Sequence, residues 1–334
     1  MTKKLKILLI YDAAKPLEDK EDYSKVLATP EMKAEAHVYE ALIKLEHDVR
    51  LFAVTDSVEG LLQEIRNYPP DLVFNQAEQF CGDSAQEKNI MGFFEMLQIP
   101  YTGSGPVGLM LCKNKALTKK ILTHHRIKTP DFVVFHKESR IYAPKKLKYP
   151  LIVKPLREEA SYGISMNSWV DNEKSLMERI QFVHGSMNQD AIVEEFVEGR
   201  ELYVGVLGNY RSQVLPAREM VFEKMPEDEP KIATFKAKWD EKYREKWGIK
   251  NKFANLSEQI SKKIERLSKN VFQHLYLKGY ARLDLRLSAE GEVVVIEVNP
   301  NPFIAKDEDF AKAALKAEIE YDQLIQKILN YAFH

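Results

Sequence analysis

Cysteine is almost missing from this chain. Only Cys81 and Cys112 occur in 334 residues, too few for a disulfide framework or a cysteine-based zinc site. Both are expected as small, reduced core residues of a cytoplasmic protein. Long apolar runs are missing too: none approaches the ~20 residues that a membrane helix needs, so no membrane partner is expected. The opening MTKKLKILLIYDAA has a basic start, but its apolar run is shorter than a secretory core and no small-residue cleavage site follows. A first β-strand is the better reading. Excess charge of either sign is absent, with 49 Lys and Arg against 50 Asp and Glu. That argues against a nucleic-acid partner, which calls for a basic face. No G-x-G-x-x-G follows the first strand, so the dinucleotide fingerprint is lacking. Repeats and low-complexity tracts are absent as well.

What remains is an ordinary globular composition, 45% hydrophobic and 30% charged, with length enough for two or three domains. KILLIYD reads as a buried parallel strand. A helix is expected over 29–45, a strand at HDVRLFAV, a helix at LLQEIRNY and a strand at DLVFNQ. This alternation predicts a parallel α/β sheet for about the first 105 residues. From Lys113 the pattern changes to helix NKALTKKILTHH, strands TPDFVVF and YPLIVKP, a Gly-containing loop at 157–165, helix 172–183 and strand DAIVEEFV. ELYVGVLG and SQVLPAREMVF read as antiparallel strands. Residues 223–252 are dense in charge and poor in aliphatics, as in a long loop or weak helix serving as a lid. A helix at 257–277 leads into GYARLDLRLSAEGEVVVIEVNPNP, and helices at 308–317 and 321–331 close the chain.

That penultimate stretch reads as a hairpin turning at AEG, with Leu287 opposite Glu292. Side chains alternate faces along a strand. One face then carries Leu283, Leu285, Leu287, Val294, Ile296 and Val298. The other carries Arg282, Asp284, Arg286, Val293, Val295, Glu297 and Asn299, with Arg282 opposite Glu297. Two carboxylates and an amide oxygen on one face are hard ligands suited to Mg²⁺; a solvated face with a cross-strand salt bridge is the competing reading. Further along the same line, Lys154 ends an apolar strand, where a lysine needs a phosphate or carboxylate. REEASYGIS supplies small residues and Gly163, whose backbone N–H groups can line a phosphate. Glu194, Glu195 and Glu201 cluster at a strand end, and Lys115 opens a helix.

In their order, IPYTGSGP, CKNKALTKKIL, YPLIVKPLREEASYGIS, IVEEFVEGRELYVGVLG, FKAKW and ARLDLRLSAEGEVVVIEVNPNP resemble the ATP-grasp carboxylate–amine ligases, in particular the D-alanine–D-alanine ligase-like family, over about residues 71–330. The resemblance implies an ATP-grasp fold, α/β with an α+β C-terminal part. Its expected parts are an N-terminal parallel α/β (pre-ATP-grasp) domain at 1–110, a central subdomain at 111–197 and a C-terminal subdomain at 198–334 with the lid. It implies ATP contacts from Lys115 and from Lys154, the latter on the phosphates. Glu194, Glu195, Phe196 and Val197 become the adenine-binding linker, with Ile296 among the nucleotide-binding residues and Glu201 on the ribose. Ser161 and Gly163 fall in the phosphate-covering loop, and Lys238 on the lid reaches the γ-phosphate. Asp284, Glu297 and Asn299 would hold two Mg²⁺ ions, with Glu297 bridging and Mn²⁺ as an alternative. Arg282 would stabilise the tetrahedral intermediate, so Arg282, Lys238 and Ser161 form the implied catalytic set. The implied reaction joins a carboxylate to an amine through an acyl phosphate, releasing ADP and phosphate.

The substrate side departs from the family. Its Gly-Gly-x-Ser-x-Glu motif is replaced by YDAAKPLEDKEDYS and its His-Gly by AEQFCGD. The paired serines become Ala160-Ser161, and Asn-Thr-x-Pro-Gly-Met-Thr becomes NPNPFIAKDEDF. The expected substrates are therefore amino acids or peptides of unspecified identity, and the resemblance leaves room for a homodimer. An authentic D-alanine–D-alanine ligase is one alternative. A nucleotide-binding ATP-grasp protein without turnover is the other, although it would have no use for an oxyanion arginine.

Overall fold

Five consecutive buried positions mark strand β1, Lys6–Asp12, the pattern of a strand covered on both faces. The structure is a computed structural model and describes residues 4–13, 27–158, 161–227 and 229–333. Ala160 and most of the segment YDAAKPLEDKEDYS lie outside the described residues. β1 is the middle of a parallel sheet, order β2-β1-β3, with β2 at Asp48–Val54 and β3 at Leu72–Gln76. Its side chains alternate faces. Ile7 and Leu9 pack with Val38 and Leu42 of helix Lys33–Lys44 and, from the far end of the chain, with Ile325, Ile328 and Leu329 of helix Tyr321–Tyr331. Leu8 and Ile10 pack on the opposite side with Ile65 and Phe94. Two helices escaped the sequence reading, Glu87–Met96 and Pro106–Cys112; both are short, and glycines interrupt them.

A second, antiparallel sheet has the order β4-β7-β5-β6, from β4 Phe132–Phe135, β5 Leu151–Pro155, β6 Trp169–Val170 and β7 Ala191–Glu195. Helix Glu173–Ser186 covers it through Leu176, Ile180 and Val183. The third sheet, also antiparallel, runs β11-β10-β8-β12-β13 with β9 beside β8. Its strands are β8 Arg200–Leu207, β9 Gln213–Val214, β10 Arg218–Phe222, β11 Ile249–Phe253, β12 Tyr280–Leu287 and β13 Val293–Pro300. Helix Glu258–His274 packs Ile264, Val271 and Phe272 beneath it. Asn114, Asn172 and Ser257 each accept a backbone N–H at the start of a helix, which offsets donors that have no partner there.

Several expectations need correction. SQVLPAREMVF is two strands, β9 and β10. The segment 223–252, expected as a long loop or weak helix, holds two short helices, Phe235–Trp239 and Glu241–Trp247, capped by Thr234 and Asp240, and runs into an edge strand, β11, that was not expected. Lys250 and Lys252 on that edge hide the alternation, as edge strands often do. Cys112 is buried as expected, but Cys81 is exposed.

The hairpin register differs from the expected one. The connection Ser288–Glu292 is one residue longer, so Leu287 faces Val293. A bulge then inserts Ile296, and Asp284 comes to sit directly opposite Glu297, with Arg282 opposite Asn299. An extra residue resets the period of two. Val293, Val295 and Val298 therefore join Leu283, Leu285 and Leu287 in the core, while Ile296 turns to the opposite side.

Candidate active site

Across the gap between the second and third sheets lies a narrow cleft, about 530 Å³ when the solvent-open space at its mouth is included. Eleven of the expected site residues line it: Lys154, Ser161, Glu194, Glu195, Phe196, Val197, Glu201, Lys238, Asp284, Ile296 and Glu297. Lys115, Gly163, Arg282 and Asn299 do not line it directly. Lys115 reaches the lining residue Glu297 at 3.0 Å and also donates to the Glu158 carbonyl. Arg282 and Asn299 both bond to Asp284. Gly163 lies within the 157–165 loop at a left-handed φ of +73°, where a Cβ would press on the flexible end of the Met187 side chain, and Arg179 donates to its carbonyl.

At one end of the cleft, antiparallel pairing sets Ile152 opposite Glu194 and puts Lys154 diagonal to it, within reach across the pair. Lys154 Nζ lies 2.9 Å from Glu194 Oε2. Glu194 is wholly buried, a position that a carboxylate holds only when paired. Burial opposes its charge, but Lys119 and Lys154 outweigh burial and lower its pKa. Burial likewise opposes the Lys154 ammonium, and Glu194, Glu297 and Glu201 together raise it. The other oxygen, Oε1, has Lys119 at 3.3 Å without a directed hydrogen bond. It keeps accepting capacity at the cleft wall. The linker Glu195–Val197 is fixed by Glu195 N–H donating to the Asp131 carbonyl and Phe196 N–H to that of Pro150.

At the floor, β12 and β13 present Asp284 and Glu297 side by side. The Arg282 guanidinium forks onto Asp284 at 2.8 and 3.1 Å. Lys238 stands 3.7 Å from the same carboxylate, and Asn299 Nδ2 donates to it at 3.2 Å. Burial pushes the Glu297 carboxyl up, but Lys115, Lys238 and Lys154 overcome that and hold it at about 2. Arg282 and Lys238 both lie over the ring of buried Tyr203, at 5.2 and 5.7 Å. The lid segment is docked: Ser161 donates to the Ala233 carbonyl at 2.8 Å, and Phe235 N–H to that of Ile164 at 3.0 Å. Glu201, expected on the ribose, faces Arg286 across β8 and β12 and pairs with it at 2.6 Å.

Sequence reasoning gave Lys119 and Arg286 no role and missed the apolar walls Pro130, Ile152, Ile164 and Ile232. Lys119 was legible, because it follows Lys115 by four residues and so shares its helix face. The apolar walls carry no such signal.

Two antiparallel sheets closing on a cleft with cations and carboxylates on facing strands define an ATP-grasp fold, preceded by a parallel α/β unit. Residues 121–330 match the family model "D-ala D-ala ligase C-terminus", and the chain belongs to that family of ATP-dependent carboxylate–amine ligases. The D-alanine–D-alanine ligase of Syntrophotalea carbinolica is 31% identical over 282 residues, covering 83% of this chain and 85% of that protein. That of Aquifex aeolicus is 29% identical over 303 residues, covering 90% and 94%. The fold matches a crystal structure of D-alanine–D-alanine ligase from Bacillus anthracis complexed with ATP, with a TM-score of 0.74 and 20% identity over 98% of this chain and 97% of that one. No helix among the described residues is long and apolar enough to cross a membrane.

Proposed function

We propose that this enzyme joins the carboxylate of one amino acid or peptide to the amine of another at the expense of ATP. The carboxylate is first phosphorylated; the amine then displaces phosphate from the acyl carbon. The observation that carries this reading is the arrangement of one cleft. It has a Lys154–Glu194 pair on one wall and Asp284, Glu297 and Lys238 at the other. In this reading Glu194 and the Glu195–Val197 backbone take adenine, Glu201 the ribose, and Lys154, Ser161 and Gly163 the phosphates. The domain boundaries fall near residues 110 and 197.

Asp284, Glu297 and Asn299 are the residues that would hold Mg²⁺ or Mn²⁺, as two ions. Among the described residues no three His, Cys, Asp or Glu side chains converge as a metal cluster. The donor set still fits, because two carboxylates stand in register with an amide beside them, and hard oxygens suit these ions. Bound ions would supply neutralisation of charge on the transferring phosphoryl group. Lys238 adds positive charge from the lid, and Arg282 can donate to the developing oxyanion. The docked lid keeps water away from an acyl phosphate.

An authentic D-alanine–D-alanine ligase is the second reading, favoured by the family match. The departures at the substrate end weigh against it. Asn301 there accepts from Ser104 N–H at 2.8 Å and packs on Gly103, anchoring the altered NPNP segment to the N-terminal unit. A small open pocket lies beside it, lined by Glu35, Asn75, Gln76 and Phe303. It sits at the carboxyl end of β3, where open α/β sheets take ligands. A phosphate-release screen over amino acids of both hands and dipeptides, with mass spectrometry of products, tests the proposal. A ligated product supports it, and D-alanyl-D-alanine as the sole product selects the second reading. Absence of ATP-dependent ligation across the screen overturns both.

A further inference from the structure

Lys119 is 1% exposed and lines no part of the cleft, yet it touches two residues that do. Its Nζ lies 2.9 Å from the Ile296 carbonyl and 3.3 Å from Glu194 Oε1. Ile296 belongs to β13 and Glu194 to β7, so one ammonium ties the two sheets together behind the cleft. An ammonium has three donors and no acceptor, which suits it to bridge a carbonyl and a carboxylate. The carbonyl is that of the bulged residue, whose side chain the bulge delivers into the cleft. Glu194 has two cationic partners that differ in place. Lys154 lines the cleft; Lys119 stands outside it. A ligand phosphate can draw Lys154 away from Glu194, whereas Lys119 stays.

We propose that Lys119 is a positioning residue for the base end of the nucleotide: it holds the Glu194 carboxylate in place and fixes Ile296 against the base. The inference rests on the assignment of Glu194 to the adenine amino group. Without the Lys119 ammonium, Lys154 is the one cation left on Glu194 among the described residues, and the bulge loses the donor to its carbonyl. The cost falls on recognition of the 6-amino group rather than on general nucleotide affinity.

The test uses the full chain with Mg²⁺ and compares binding of ATP with that of purine riboside triphosphate, which lacks the amino group. Lys119→Met is expected to cut the preference for ATP about tenfold, and Lys119→Arg, which keeps the charge and donors, to recover part of it. In a Glu194→Gln background, Lys119→Met is expected to change the preference no further, as coupled residues behave. Lys119→Gln replaces Lys119→Met if the latter does not fold. Equal weakening of both nucleotides, or a full additional effect on top of Glu194→Gln, overturns the positioning role. If Glu194→Gln itself leaves the preference unchanged, the adenine assignment fails and this inference with it. A preference altered by Glu194→Gln but not by Lys119→Met sinks only the latter.

Discussion

The two ends of the cleft solve the same problem differently. Both hold carboxylates out of water against lysines. At the base end one carboxylate, Glu194, is shared by two lysines and is fully enclosed. At the floor two carboxylates meet three cations from three elements: Lys115 from a helix, Lys238 from the lid and Arg282 from β12 itself. The first is an enclosed set of one carboxylate and two lysines beside apolar walls. The second is an open mixture in which incoming charge can be exchanged for charge already present. A buried pair is weak evidence for stability, so what separates the two ends is how they respond to loss of one partner.

The largest effect is expected at the floor. Asp284→Asn should cut Mg²⁺-dependent phosphate release by about a thousandfold or more with the fold retained by circular dichroism; turnover near normal would remove Asp284 from the metal set. Next comes Glu297. Its folded carboxyl, at about 2, lies below the ordinary value of 4.5. The stability it contributes is therefore present above pH 4.5 and lost as pH falls through 2. In metal-free protein, urea titrations should show wild type losing about 3 kcal/mol between pH 5 and pH 2 that Glu297→Gln does not lose. Equal pH slopes in the two proteins would mean that the floor is not charge-compensated. Lys238→Ala should slow phosphate release roughly fiftyfold while ADP affinity changes less than about threefold; equal losses in both would place Lys238 in binding alone.

The smallest effect is expected outside the cleft, at Glu35. Burial lifts that carboxyl to about 6, and its Oε2 has no hydrogen-bond partner among the described residues. A raised value means stability that is present below pH 4.5 and lost as pH rises through 6. Glu35→Gln should stabilise the protein by about 1 kcal/mol at pH 7.5 and be neutral at pH 4. Destabilisation at pH 7.5 would show that the carboxylate meets a cation there.

The same contrast explains what could be read from the sequence. The parallel unit was legible because KILLIYD and DLVFNQ are continuous apolar runs between amphipathic helices. The floor was legible because Arg282, Asp284, Glu297 and Asn299 are charged or polar where a strand should be apolar. Their partnering was not: turn length and the bulge depend on tertiary contacts such as Lys119 with the Ile296 carbonyl, and no local pattern encodes them. Strand β11 was missed because its face alternates lysines with Ile249 and Asn251 at an edge. The apolar wall of the cleft, Ile152 and Ile232, was silent because an isoleucine facing a ligand looks like one facing a core.

The bulge at Ile296 has a further consequence. Omit that one residue and β13 reads Val293, Val295, Val298 inward and Val294, Glu297, Asn299 outward, in unbroken alternation with β12. The hairpin's interior is complete without it. Ile296 is thus an extra residue that the strand pairing does not need and that lines the cleft instead, and deleting that single codon would separate what the strand needs in order to fold from what the proposed nucleotide site needs in order to grip.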